Sequence, residues 1–192
     1  MAQPLDTNQR LKEAAPIESI TSAEQHRREA PSSVACMIVT VSDTRTPDTD
    51  KSGRLIRELL ESYGHEVRRA LIVPDEYERI RELLREAEAD PAIEAVLLNG
   101  GTGIAARDTT YEAVAALLTK EMPGFGEIFR MLSFTEDIGT AAILSRAIAG
   151  TMGRTAVFSM PGSTGAVRLA MTRLIVPELG HVMREIYKDD PK

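Results

Sequence analysis

Cysteine is almost missing: Cys36 stands alone in 192 residues. A single thiol excludes an internal disulfide and fits a reducing compartment. Inside an apolar run it reads as a buried strand residue rather than a nucleophile. Histidine is sparse as well. His26, His65 and His181 are scattered without metal-ligand spacing, and no His-Glu-x-x-His occurs. His65, at a helix-to-strand turn, reads as a surface residue. There is no Gly-x-Ser-x-Gly elbow and no catalytic Cys/His arrangement, so covalent nucleophilic catalysis has no candidate. The first thirty-odd residues lack the apolar core of a signal peptide, and no membrane span is present, so a cytoplasmic location is expected. Positive charge is in deficit: 23 Lys and Arg against 29 Asp and Glu give a net charge of −6. That excludes general binding to nucleic acid or acidic membranes, which needs basic patches. It leaves room for an anionic small molecule, because local donors can reverse the field inside a pocket.

What is present is enough for one domain with a proper core. Apolar residues make up 43% and charged residues 27% of the chain, a globular composition. Residues 1–33 carry Pro4, Pro16 and Pro31 among polar and charged residues and read as a mobile arm. Within it, TSAEQHRREA has the charge alternation of a short, solvated helix. Residues 34–192 form the expected domain. VACMIVTV (34–41) is a continuous β-branched run, the mark of a strand covered on both faces. Helical spacing follows at 51–63, with Gly64 as its stop, then a strand at 67–73 and a helix at 76–89 ended by Pro91. A third strand covers 95–98 and a third helix 111–120. Residues 127–134 and 141–148 read as helical, 155–160 as a fourth strand, and 167–187 as a long helix with a kink or restart at Pro177. Such alternation implies parallel strands with right-handed crossovers and ligands at their carboxyl ends.

The most telling stretch is VLLNGGTGIAARDTT (96–110). A buried strand breaks into Gly100, Gly101, Thr102 and Gly103, and glycines let backbone approach a ligand without Cβ clashes. Free N–H groups in such a loop attract phosphate. Asp108 in the same loop would repel it, and a divalent cation between the two resolves that conflict. The loop is neither a Walker motif nor the dinucleotide fingerprint. A tight strand-to-helix turn would account for the glycines alone. Asp108, Thr109 or Thr110 could serve only as a helix cap, Asp75 as a turn residue, and Ser52 as the cap of the first helix. Two aspartates, Asp75 and Asp108, at adjacent strand ends also suit a magnesium ion held against phosphate oxygens. Lys51, Arg107 and Arg146 are candidate cations, with solvation or surface ion pairing the competing reading for each.

In order, VSDTR (41–45), DKSG (50–53), IVPDE (72–76), LLNGGTGIAARDTT (97–110), MPGFGEIFRMLSF (122–134), IGTAAILSRAIAG (138–150) and MPGSTGAV (160–167) resemble the MoaB/Mog family of molybdenum-cofactor biosynthesis proteins. The last pieces are similar to its MoaB branch. The resemblance covers nearly all of residues 34–187. It implies a three-layer α/β fold with a mostly parallel sheet flanked by helices. It also implies magnesium- and ATP-dependent adenylylation of molybdopterin, with a non-catalytic molybdopterin carrier as the alternative. Homotrimers or hexamers built as dimers of trimers, and other cofactor-biosynthesis proteins as partners, follow from the same likeness. The family's two key aspartates fall on Asp75 and Asp108, here assigned to catalysis and magnesium. Gly100, Gly101, Thr102 and Gly103 would line phosphate. Ser42 and Asp43 would stand at the mouth of the first strand. Ser145 and the Pro161-Gly162-Ser163 loop would recognise the pterin. Asn99 departs from the threonine common in relatives, and Ser163 from asparagine or glutamine.

Overall fold

The computed structural model describes residues 21–189. Its centre is a six-stranded sheet in the order β2-β1-β3-β6-β5-β4. The strands are β1 (Ala35–Val41), β2 (Glu66–Val73), β3 (Ala95–Asn99), β4 (Lys120–Glu121), β5 (Ile148–Met152) and β6 (Thr155–Met160). β2, β1, β3 and β6 run parallel, while β5 and β4 close one edge antiparallel. The expected three-layer, mostly parallel arrangement is therefore present.

Alternation along each strand supplies both faces. Cys36 and Ile38 of β1, Leu97 of β3 and Phe158 of β6 point into one core. Over that core lie α2 (Lys51–Ser62), α5 (Pro123–Leu132), α6 (Thr164–Ala170) and α7 (Val176–Tyr187). Met37 and Val39, Val96 and Leu98, and Val157 face the other core. It is covered by α3 (Tyr77–Ala89) and α4 (Thr110–Ala115). Burial of Cys36 at 0% exposure pushes its thiol pKa up to about 12.

Several local expectations need correction. The segment read as helix over 141–148 is a 3₁₀ stretch at Gly139–Leu144 that turns extended at Ser145 and enters β5. The helix expected over 111–120 stops at Ala115, and Lys120–Glu121 pair with β5 instead. In the C-terminal helix a π turn, Met171–Ile175, separates α6 from α7, and Pro177 sits in the first turn of the restarted helix, where its missing N–H costs no bond. His65 is buried rather than superficial, and burial lowers its pKa. Residues Ser22–Glu29 form α1, opened by a capping box at Thr21 and Glu24. This helix is not merely solvated: Arg27 pairs with Glu178, and Glu29 with Arg184, both on α7.

Candidate active site

The chain leaves β1 toward α2 on one face and leaves β3 toward α4 on the other, so the gap between their carboxyl ends is a topological switch point. A buried polar network fills the floor of that gap. Asn99, 0% exposed at the end of β3, donates from Nδ2 to Thr40 Oγ1 at 3.0 Å and accepts at Oδ1 from Ser52 Oγ at 2.7 Å. Thr40 Oγ1 donates to Asp50 Oδ2 at 2.6 Å, and the Gly53 N–H donates to Asp50 Oδ1 at 2.9 Å. Asp50, not Ser52, is thus the N-cap of α2. Burial alone would raise the Asp50 carboxyl pKa, but hydrogen bonds from Thr40, Gly53 and Ser52 and the neighbouring Arg45 charge hold it below its ordinary value. Arg45 reaches Ser52 Oγ with Nη1 and donates from Nη2 to the Gly162 carbonyl at 2.8 Å, tying the loop after β6 to the loop after β1. A Cβ on Gly162 would lie 3.0 Å from Gly100 Cα, so these two loops meet backbone against backbone.

The glycine loop is built on positive φ. Gly100 has φ +100° and Gly101 φ +62°. A Cβ at Gly100 would come 2.2 Å from the Val41 carbonyl oxygen. One at Gly101 would meet Thr110 Oγ1 at 2.1 Å and Asp75 Oδ2 at 2.3 Å. Asp75 is buried, and its Oδ1 accepts from Thr109 N at 3.1 Å and Thr109 Oγ1 at 2.8 Å. Neither Asp75 nor Asp108 caps a helix: Glu76 occupies the N-cap of α3 and Thr109 that of α4. Half-buried Asp108 turns back on its own loop, where Oδ2 accepts from Ala105 N at 3.1 Å and would lie 2.5 Å from a Cβ on Gly103. Arg146 clamps the loop from outside. Its Nε donates to the Thr102 carbonyl at 2.9 Å, Nη2 reaches the Gly103 carbonyl, Nη1 pairs with Glu112, and the guanidinium lies 5.0 Å from the Tyr111 ring centre.

Asp43 accepts from Arg107 Nε at 3.0 Å and Nη2 at 2.8 Å, and from the Asp75 N–H at 3.1 Å. The Arg107 side chain, then the Asp75 N–H, lower its pKa. This pair joins the loop after β1 to the glycine loop. Two hollows open beside it. One of about 690 Å³ is lined by Ser42, Asp43, Arg45 and Pro74 among others, and one of about 440 Å³ by Asp108, Thr109 and Arg146. Asp75 sits in the partition, with its neighbour Pro74 on the first hollow and its hydrogen-bond donor Thr109 on the second.

The other candidates divide. Ser42 Oγ accepts from the Thr44 and Arg45 N–H groups and shapes the loop after β1. Ser163 caps α6 by accepting from Ala166 N at 3.2 Å. Pro161 is half-buried beside Gly162. Ser145 closes the 3₁₀ stretch through its backbone, and its neighbour Arg146, rather than its own hydroxyl, touches the glycine loop. Lys51 is exposed on α2. Sequence reasoning gave no role to Arg45, Asp50 or Thr40, and tied Asn99 to pterin recognition rather than to a structural network. The available signal was a polar residue inside an otherwise apolar covered strand, Thr40 in ACMIVTV and Asn99 in AVLLN.

The donor set at the glycine loop suits a hard cation. Among the described residues Asp75 Oδ2 and Asp108 Oδ1 accept no hydrogen bond, and the buried Thr110 hydroxyl beside Asp75 has no partner. Only oxygen is offered, as magnesium prefers. Among the described residues neither aspartate belongs to a group of three acidic, imidazole or thiol side chains close enough to share an ion. The rest of a coordination shell would come from substrate phosphate and water.

An open α/β sheet with glycine loops at its carboxyl strand ends is the general class to which this molecule belongs. Residues 37–181 match the family model described as "Probable molybdopterin binding domain". The Molybdenum cofactor biosynthesis protein B of Halalkalibacterium halodurans is 71% identical over 168 residues, covering 88% of this chain and 99% of the relative. That of Bacillus subtilis is 58% identical over 168 residues, with the same coverage. A crystal structure of Molybdenum cofactor biosynthesis protein B superimposes with a TM-score of 0.81 at 57% identity, covering 83% of this chain and 99% of that one. The tungsten cofactor synthesizing protein MoaB from Pyrococcus furiosus gives 0.72 at 38% identity, covering 82% and 99%. The chain belongs to the MoaB/Mog family of molybdenum-cofactor biosynthesis proteins.

Proposed function

We propose that this chain is a molybdopterin adenylyltransferase, using ATP and magnesium. The observation that carries the reading is the pair Asp75 and Asp108, packed against Gly101 and Gly103 respectively, each keeping a carboxylate oxygen outside the hydrogen bonds that fix it. In the reaction, a terminal phosphate oxygen of molybdopterin forms a bond to the α-phosphorus of ATP. The bond from that phosphorus to the bridging oxygen breaks, and pyrophosphate leaves with the electron pair. The nucleophile is already an anion, so no strong base is required, in keeping with a site that has no Ser/His or Cys/His constellation. Positioning and charge neutralisation are what such a transfer asks of a protein.

Asp75 and Asp108 would hold magnesium, which when bound offsets charge on the phosphates. The glycine loop would bring N–H groups to phosphate oxygens, held at its set distance by Arg146 on one side and Asp75–Thr109 on the other. Arg45 would keep the Pro161-Gly162-Ser163 loop, a pterin-recognition element in this reading, against the switch point. Incubation of pure protein with molybdopterin, ATP and magnesium should release pyrophosphate and form molybdopterin-AMP. Release no faster than the protein-free rate would overturn the proposal.

One observation favours a second reading, a non-catalytic molybdopterin carrier: Asp108 is folded onto its own loop and Arg107 is engaged by Asp43. Molybdopterin binding without turnover would decide for the carrier. Under either reading the protein is a homo-oligomer, a trimer or a dimer of trimers. Ile128, Met131, Phe134, Ile138, Ile143 and Leu144 expose 44–85% of their surface on adjoining elements, an apolar area that a second copy would cover.

A further inference from the structure

Away from the candidate site, the junction of α1 and α7 gathers two of the chain's three histidines. His26 comes from α1, and His181 and Glu185 stand one turn apart on α7. One ligand atom from each lies within 4.8 Å of the others, and no other such group of three occurs among the described residues. His26 Nδ1 is 3.3 Å from Glu185 Oε1, and the two imidazoles meet edge to face with centres 5.5 Å apart. His181 Nδ1 contacts Glu178 Oε2 at 2.9 Å. A carboxylate there fixes the Nδ1–H tautomer and leaves the Nε2 lone pair for an ion, the arrangement usual around metal-bound histidine.

We propose that His26, His181 and Glu185 bind one divalent cation of the zinc class, clamping α1 onto the body of the protein. Two imidazoles and one carboxylate make a three-ligand set with an open fourth position. Imidazole nitrogens select zinc, nickel or copper over magnesium, so this ion differs in kind from one held by Asp75 and Asp108. Ligands in a tetrahedral zinc site stand about 3.4 Å apart. The His26–Glu185 pair already has that spacing, and the side chains of His26 and Glu185, 36% and 37% exposed, have room to rotate. Cations also face the site. Arg184 Nη1 reaches Glu185 Oε1 and Lys188 Nζ reaches Oε2, at 2.8 and 3.3 Å, while Arg27 pairs with Glu178. Glu29 balances Arg184, and Lys188 is exposed enough to withdraw when an ion enters.

The test is a titration of the untagged full chain with zinc sulfate, followed by calorimetry. One ion per chain is expected, with an affinity tighter than about 10 µM. His26→Ala and His181→Ala should each weaken it at least about 10-fold, and Glu178→Gln by a similar factor through the lost outer contact. His65→Ala should leave it unchanged. Amide hydrogen exchange over 22–29 should slow with zinc in the wild type and not in His181→Ala, a readout independent of calorimetry. No saturable binding, or binding that survives both histidine substitutions, would overturn the proposal.

Discussion

Asp75 accepts two hydrogen bonds from Thr109, the residue that directly follows Asp108. The buried acid therefore fixes the backbone next to the half-buried one. Their local costs differ. Asp108 gives up only a bond from the Ala105 N–H when removed, whereas Asp75 organises the start of α4.

Asp108→Ala should keep the fold, with a stability change below about 1 kcal/mol, because a loop carboxylate contributes little packing. Pyrophosphate release should fall at least about 100-fold, the scale of losing one preorganised electrostatic group. Turnover equal to wild type in a steady-state assay would remove Asp108 from the site.

Asp75→Asn keeps an oxygen able to accept from Thr109 and removes the charge. Thermal melting should stay close to wild type while activity falls about 100-fold. A matched loss of both would instead make Asp75 a scaffold residue.

Asn99→Thr places one hydroxyl where an amide serves both sides of the network. The threonine oxygen, one bond nearer the backbone than the amide, is too short to keep both the Thr40 and the Ser52 contacts at their present lengths. The expected cost is about 2 kcal/mol, read as a fall in Tm of roughly 4–8 °C for a chain of this size.

Asp50 titrates below its ordinary value in the folded protein. A lowered folded pKa means stabilisation that is complete above the unfolded value, about 3.9, and lost as pH falls through the folded value. Asp50→Asn should therefore lower the urea midpoint at pH 7, and its gap from wild type should narrow below about pH 4. A gap that is constant with pH would show that the charge is immaterial.

Ile143 is 85% exposed on the 3₁₀ stretch, next to Leu144, itself 55% exposed. Ile143→Asp should weaken self-association, read by light scattering as a shift toward the 21.0 kDa chain mass. A wild-type mass of one chain would count against the oligomer.

Where one physical rule dominated, the sequence was readable. β1 and β3 are apolar runs covered on both faces, and α2 and α3 carry regular apolar stripes. The segment TAAILSRAIAG reads as helix because its alanines and its leucine favour helix locally, while pairing with β6 draws its second half into β5. The glycine loop and its two aspartates were visible as a motif. The network from Arg45 to Asn99 was not, because its members meet only through the sheet order: β1 and β3 lie side by side although β2 separates them along the chain.

The sealed thiol of Cys36 has a chemical consequence. With its sulfur buried and its pKa near 12, the molecule offers no sulfhydryl anion at neutral pH. Copies cannot become cross-linked by oxidation, and a sulfur-bearing guest finds no partner for disulfide exchange on its host.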